Sequence, residues 1–212
     1  MSAFAAPLEL LLPLLAVLTA LALGPSILLS RGVLRAGFGP QTARARAQGL
    51  SLGLGIGVTL AIVATGVMFG PGAATVTAVL FMLALLAAMD LLWRWLPLEW
   101  TLPLLVLGLA SAVLTGDIAS AAMGAALGGG LLLALRLTFQ LLRGFEALGL
   151  GDVWLAAGLG AFVGAATISW LLGAAALLGL ALHTAMPAPQ SRRFGVAFGA
   201  HLCAAGAIFL YF

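Results

Sequence analysis

GLGDVWLAAGLGAFVGAATISWLLGAAALLGLALHTAM, Gly149 to Met186, sets a single carboxylate, Asp152, ahead of a run that is apolar nearly to its end. A crossing of the hydrocarbon core takes about 20 apolar residues, so the run has the length of two crossings joined by a turn. The reading places them at 152–167 and 169–186, with the turn around Gly164 to Ser169; if that turn is absent, the two become one. Upstream and downstream the pattern repeats. Apolar runs between Arg, Pro and Gly punctuation predict spans near 8–29, 50–69, 73–92, 101–115, 118–135 and 194–212. The expected fold is all-α: a polytopic membrane protein of about eight transmembrane helices, one domain over residues 1–212.

Composition agrees with lipid as the solvent. Of the residues, 64% are hydrophobic and 7% charged, where an ordinary soluble domain carries roughly 25% charged residues. The net charge of +3 comes from nine Arg and no Lys, scattered between apolar runs rather than gathered on one face. That pattern reads as a topology signal and not as a nucleic-acid surface. Alternating sides along eight spans puts Arg31, Arg35, Arg44 and Arg46 in the first loop, Arg94 in the third, Arg136 and Arg143 in the fifth, and Arg192 and Arg193 in the seventh. All lie on one side, which the positive-inside rule makes cytoplasmic, so both termini are expected outside, with Glu9 and Asp117. No basic n-region precedes the first apolar run, so that run is expected to stay as an anchor. Cys203, the only cysteine, leaves neither an internal disulfide nor a cysteine-rich zinc site.

Pairs of Gly four apart, Gly53/Gly57, Gly66/Gly70, Gly124/Gly128, Gly160/Gly164 and Gly195/Gly199, are candidate sites of close helix approach.

An ionisable group at a membrane span is costly, which makes each acid a candidate for function. Asp90 ends the third span and Asp152 opens the sixth, on the same side and at one depth. Two carboxylates brought close do not both ionise easily, so one keeps a proton while the other stays a base. Such a pair activates water: the base takes a proton from a water attacking a peptide carbonyl, and the acid protonates the carbonyl oxygen. This chemistry needs no metal or cofactor. Gly149 and Gly151, bare of side chains beside Asp152, allow a substrate backbone to approach. The plainer readings are a helix-start acid for Asp152 and an ion pair with Arg94 for Asp90. Glu146 and Glu99, in the neighbouring loops, are either guides for a basic substrate or solvated charges. Asp117 is read as a cap of the fifth span. His183 and His201 are read as hydrogen-bonded structural residues, and Trp93, Trp95 and Trp100 as interfacial anchors.

The stretch Asp90-Leu-Leu-Trp-Arg-Trp-Leu-Pro97, followed by Thr101-Leu-Pro-Leu-Leu-Val-Leu-Gly108, resembles the first signature of the type IV prepilin leader peptidases. Glu146-Ala-Leu-Gly-Leu-Gly-Asp152, with the small-residue helix to Gly164, resembles their second, the Gly-x-Gly-Asp element. Arg193-Phe-Gly-Val-Ala-Phe-Gly199 resembles their closing Pro-Phe-Gly-Pro segment with both prolines lost. The resemblance runs from about residue 75 to the end. It implies an intramembrane aspartic endopeptidase of the inner membrane, with Asp90 and Asp152 catalytic and Gly149, Gly151 and Glu146 shaping the site. Its substrates would be type IV prepilin or pseudopilin precursors of pilus or secretion systems, cut at the cytoplasmic face. Two departures stand out. Trp154 occupies the place where the family usually has Lys. The first loop is only about residues 30 to 49, without cysteines, so N-methyltransferase activity is not expected. The competing reading is a membrane protein without peptidase activity, either a degenerate relative or a small transporter using Asp90 and Asp152 as proton or cation sites.

Overall fold

The computed structural model describes residues 62–64, 68, 70–94, 96–146, 148–185 and 197–211. The span expected at 8–29, most of that at 50–69, the first loop, Arg192, Arg193, Gly53, Gly57, Gly66 and Gly195 lie outside these residues. Among the described residues the regular structure is entirely helical: α1 (Pro71–Trp93), α2 (Leu98–Thr115), α3 (Ile118–Arg143), α4 (Leu150–Ala185) and α5 (Phe198–Tyr211). The chain divides into two compact units, Met1–Phe81 and Met82–Phe212. In the first, Ala74, Ala78 and Val79 are buried. The second contains both candidate aspartates.

Local chemistry sets the helix ends. Pro71 opens α1, where its missing N–H removes no helical bond. Gly116 and Gly144 close α2 and α3 in the left-handed conformation, each donating its N–H back into the last turn. Asp117 stands at the N-cap of α3, but its side chain makes no capping bond. After α1, Arg94 turns left-handed at φ 54.

Among the described residues, three stretches are long and apolar enough to cross a membrane, Gly72–Leu91, Ile118–Arg143 and Leu150–Ala185; Trp100–Thr115 and Phe198–Leu210 are apolar but shorter. Large apolar side chains also face outward, among them Val106, Val113, Leu131, Leu135, Leu177 and Leu180. A helix apolar on all sides is at home in lipid, and this is a membrane protein.

Within α4 the helix breaks at Gly164, φ 76 and ψ 174, a backbone region that only Gly occupies comfortably. The break falls at the start of the turn expected at 164–169. A straight helix would hold Ala156 and Ile168 about 18 Å apart. Instead the carbonyl oxygen of Ala156 and Cγ1 of Ile168 lie within 2.5 and 3.0 Å of one point, the place a Cβ would occupy on Gly128. The chain therefore folds back at Gly164, and both arms of α4 pack on α3. Gly124 lies against the backbone of Gly160 with no room for a Cβ on either, so two of the expected glycine pairs face each other.

One boundary needs correction. The span expected at 118–135 continues to Arg143, and Arg136, assigned above to a loop, lies inside α3 at 8% exposure. The reason is pairing, described below: a buried guanidinium persists in a span when its donors are met.

Candidate active site

Asp152 sits in the first turn of α4, buried. Its Oδ2 accepts the backbone N–H of Gly149 at 3.3 Å. This is the half of a capping box in which the third helical residue reaches back to the N-cap amide. The plain helix-start reading is thus true of one oxygen. The other, Oδ1, is buried with no hydrogen-bond partner. A buried carboxylate oxygen left unpaired is costly unless something else meets it.

Asp90, in the last turn of α1, is buried too. Its Oδ2 accepts the backbone N–H of Ala200, in the first turn of α5, at 2.8 Å. Arg94 is exposed, and the one ion pair among the described residues is between Arg136 and Glu146. The Asp90–Arg94 pair is therefore not formed.

Gly199 brings the two acids into one frame. A Cβ built there would lie 2.8 Å from Asp152 Oδ1 and 3.1 Å from Asp90 Oδ2, and against Leu96 Cδ1. The two oxygens are separated by no more than the sum of those distances, and the small space between them is kept by the absence of a side chain at 199. Gly151 packs on the backbone of Leu96 with no room for a Cβ, so the loop between α1 and α2 is pressed against the start of α4. Gly149 is exposed beside Asp152.

Other residues singled out from the sequence sort as follows. Arg136 pairs with Glu146 through Nη2 at 2.7 Å, and Nη1 donates to the carbonyl of Leu148. Glu146 nevertheless stays 58% exposed. Trp154, at 38% exposure, faces outward from α4. His201 Nδ1 bonds the carbonyl of Ala197 at 2.6 Å, one turn back and just ahead of α5. Trp100, expected as an interfacial anchor, is buried. The side chains of Glu99, Trp93 and Trp95 lie outside the described residues. Gly199 and Ala200 were not singled out for the site. The available signal is that Gly199 closes the Arg193–Gly199 segment that resembles a family signature, whereas the glycine itself reads from spacing only as a helix contact paired with Gly195.

Comparison with known proteins adds to this geometry. Residues 77–184 match the type IV leader peptidase family, and the chain belongs to that family. Asp90 and Asp152 both fall inside the matched residues. Proteins named prepilin leader peptidase/N-methyltransferase are similar to it. That of Burkholderia pseudomallei strain 1026b is 38% identical over 152 residues, 68% of this chain and 49% of the relative. That of Aeromonas hydrophila is 36% identical over 162 residues, 70% of this chain and 53% of the relative. The Neisseria gonorrhoeae protein is 36% identical over 115 residues, 53% and 40% respectively. The chain thus spans about half the length of the curated relatives it matches most extensively. No solved structure gives a significant match.

Proposed function

We propose that this membrane protein is an aspartic endopeptidase that removes the basic leader from type IV prepilin or pseudopilin precursors, with Asp90 and Asp152 as its catalytic pair. The observation that carries the reading is the approach of one oxygen from each carboxylate to the same side-chain-free point at Gly199. Each acid has its other duties assigned. Asp152 uses Oδ2 to cap α4 and leaves Oδ1 unpaired, while Asp90 Oδ2 is oriented by the Ala200 amide.

With one carboxyl protonated, the ionised partner takes a proton from a water held between them as the water oxygen bonds to the scissile carbonyl carbon. The protonated partner gives its proton to the carbonyl oxygen. Collapse then breaks the C–N bond: the proton first taken from water passes to the leaving amine, and one hydroxyl of the intermediate returns its proton to the second carboxylate as the carbonyl re-forms. The chemistry is complete with two acids and water. Exposed Gly149 offers a bare approach to Asp152 for an extended substrate backbone. The Arg distribution expected from the sequence, with Arg94 and Arg143 at this end of the helices, supports cleavage at the cytoplasmic face of the inner membrane. Only leader cleavage is assigned; the methyl transfer in the relatives' names is left with them.

The test is reconstitution with a type IV prepilin in proteoliposomes, following release of the leader by mass spectrometry. Asp90→Asn and Asp152→Asn each lower the rate by at least about 10³-fold, with the purified variants remaining helical by circular dichroism. Cleavage retained in either variant removes the mechanism. Aspartate-dependent proton or cation flux without cleavage turns the reading to a transporter.

A further inference from the structure

Arg136 is the one buried Arg among the described residues, and its partners lead to the site. Nη2 holds Glu146 Oε1, while Nη1 donates to the Leu148 carbonyl. That carbonyl and the N–H of Gly149 belong to the same peptide group. The group is planar and rigid, so fixing its oxygen fixes the direction of its N–H, and that N–H is the donor to Asp152 Oδ2. A single peptide therefore carries a guanidinium on its oxygen and a carboxylate on its hydrogen. A cation on the carbonyl also polarises the amide and strengthens it as a donor.

We propose that Arg136 is a positioning residue for Asp152, acting through the Leu148–Gly149 peptide, and that Glu146 serves to hold Arg136 rather than to meet substrate. The inference rests on Asp152 being catalytic. It supplies cationic support to Asp152 from α3, through one peptide. It also accounts for an Arg inside a span whose donors are met on both sides. Rotation of the 148–149 peptide would break its bonds to Arg136 and Asp152 together, so the loop and the carboxylate move as one unit. Glu146, more than half exposed, faces Arg136 from the solvent side and completes the clamp.

Two measurements on the full-length protein test this, one of them independent of cleavage. Amide exchange at Gly149 speeds up by about tenfold or more in Arg136→Gln as the clamp opens. In the prepilin assay, Arg136→Gln lowers kcat by about tenfold to a hundredfold with KM for the precursor unchanged. Arg136→Lys, which keeps a donor for the Leu148 carbonyl, recovers most of both and serves if the Gln variant does not fold. Glu146→Gln lowers kcat by about threefold, again with no rise in KM. Unchanged Gly149 exchange in Arg136→Gln overturns the proposal, as does an unchanged kcat in a wild type that cleaves. A rise in KM in Glu146→Gln returns that residue to substrate binding and overturns its part. Faster Gly149 exchange in a protein that cleaves no prepilin keeps the positioning relation and discards the peptidase reading instead.

Discussion

The two carboxylates are held by unlike means. Asp152 takes its hydrogen bond from an amide 3 positions away, in the turn that opens its own helix, while Asp90 takes its bond from an amide 110 positions away, in the first turn of α5. The first arrangement closes as soon as the start of α4 becomes helical, with Arg136 of α3 behind the loop. The second exists only once α5 has docked beside α1. One half of the pair is thus set by local chain geometry and the other by long-range packing. Gly199, beside the Ala200 amide, is where the two are brought together. Disturbing α5 should misplace Asp90 and leave Asp152 in register, and disturbing the 144–149 loop should do the reverse.

The strongest way to break this picture is Gly199→Ala. The new methyl would sit 2.8 Å from Asp152 Oδ1 and 3.1 Å from Asp90 Oδ2, closer than a carbon and an oxygen normally rest. Since a misplacement of about 1 Å in a reacting group costs about 10²-fold, kcat on a prepilin is expected to fall by at least that much in protein that remains helical by circular dichroism, with a modest drop in thermal midpoint because the methyl also crowds Leu96 Cδ1. An active Gly199→Ala protein would mean the carboxylates do not work from this shared space. At the far end of the first arm of α4, Gly164→Ala tests the local half. Gly164 lies in a backbone region closed to other residues, and a Cβ there would approach Ser120 Oγ at 2.6 Å. A loss of about 2 kcal/mol in unfolding free energy is expected, read from detergent-solubilised protein titrated with SDS. A smaller loss would show that the fold-back tolerates a second backbone geometry.

What could be read in advance follows the same division. Asp152, its glycines and the break at Gly164 were legible because their causes lie within a few residues of them. Asp90 was legible as a misplaced charge at the end of an apolar run, but its donor was not, since nothing near Ala200 marks an amide aimed at a residue 110 positions back. Arg136 was misread because an Arg between apolar runs ordinarily ends a span. The corrective signal was present: the run is apolar on both sides of it, and a cation inside such a run calls for an acid, with Glu146 ten positions on as the nearest. Trp100 was misread by the habit of placing Trp at interfaces, when packing of α2 buries it. The glycine pairs were legible as candidates, but which glycine meets which depends on the fold-back of α4 and could not be read from spacing.

The remaining predictions probe the comparison more finely. Ala200→Pro removes the amide that orients Asp90 and sets the ring Cδ where that N–H pointed, so the carboxylate must move; the backbone itself accepts the change, because Ala200 is the third residue of α5 and lies in a first turn that tolerates Pro. The lost hydrogen bond to a charged group and the displaced carboxylate together should lower kcat by at least about tenfold without raising KM. An unchanged kcat would show that Asp90 is placed by packing alone. The least effect is expected from Trp154→Lys, although it would install a cation two residues from the second aspartate. Successive helical residues turn by 100°, so position 154 points nearly opposite to Asp152, and Trp154 is exposed on that outward face. A Lys there would extend toward the membrane surface rather than the carboxylate. With Arg136 already serving Asp152 through the 148–149 peptide, kcat should stay within about twofold of wild type, the range of ordinary surface changes. A large gain in kcat would instead mean that Asp152 is under-supported in this chain and that the link from Arg136 is weaker than its geometry suggests. Combining Trp154→Lys with Arg136→Gln then separates the two sources of support. A Lys that restores the double variant, while adding nothing to wild type, acts on the same carboxylate from the other side.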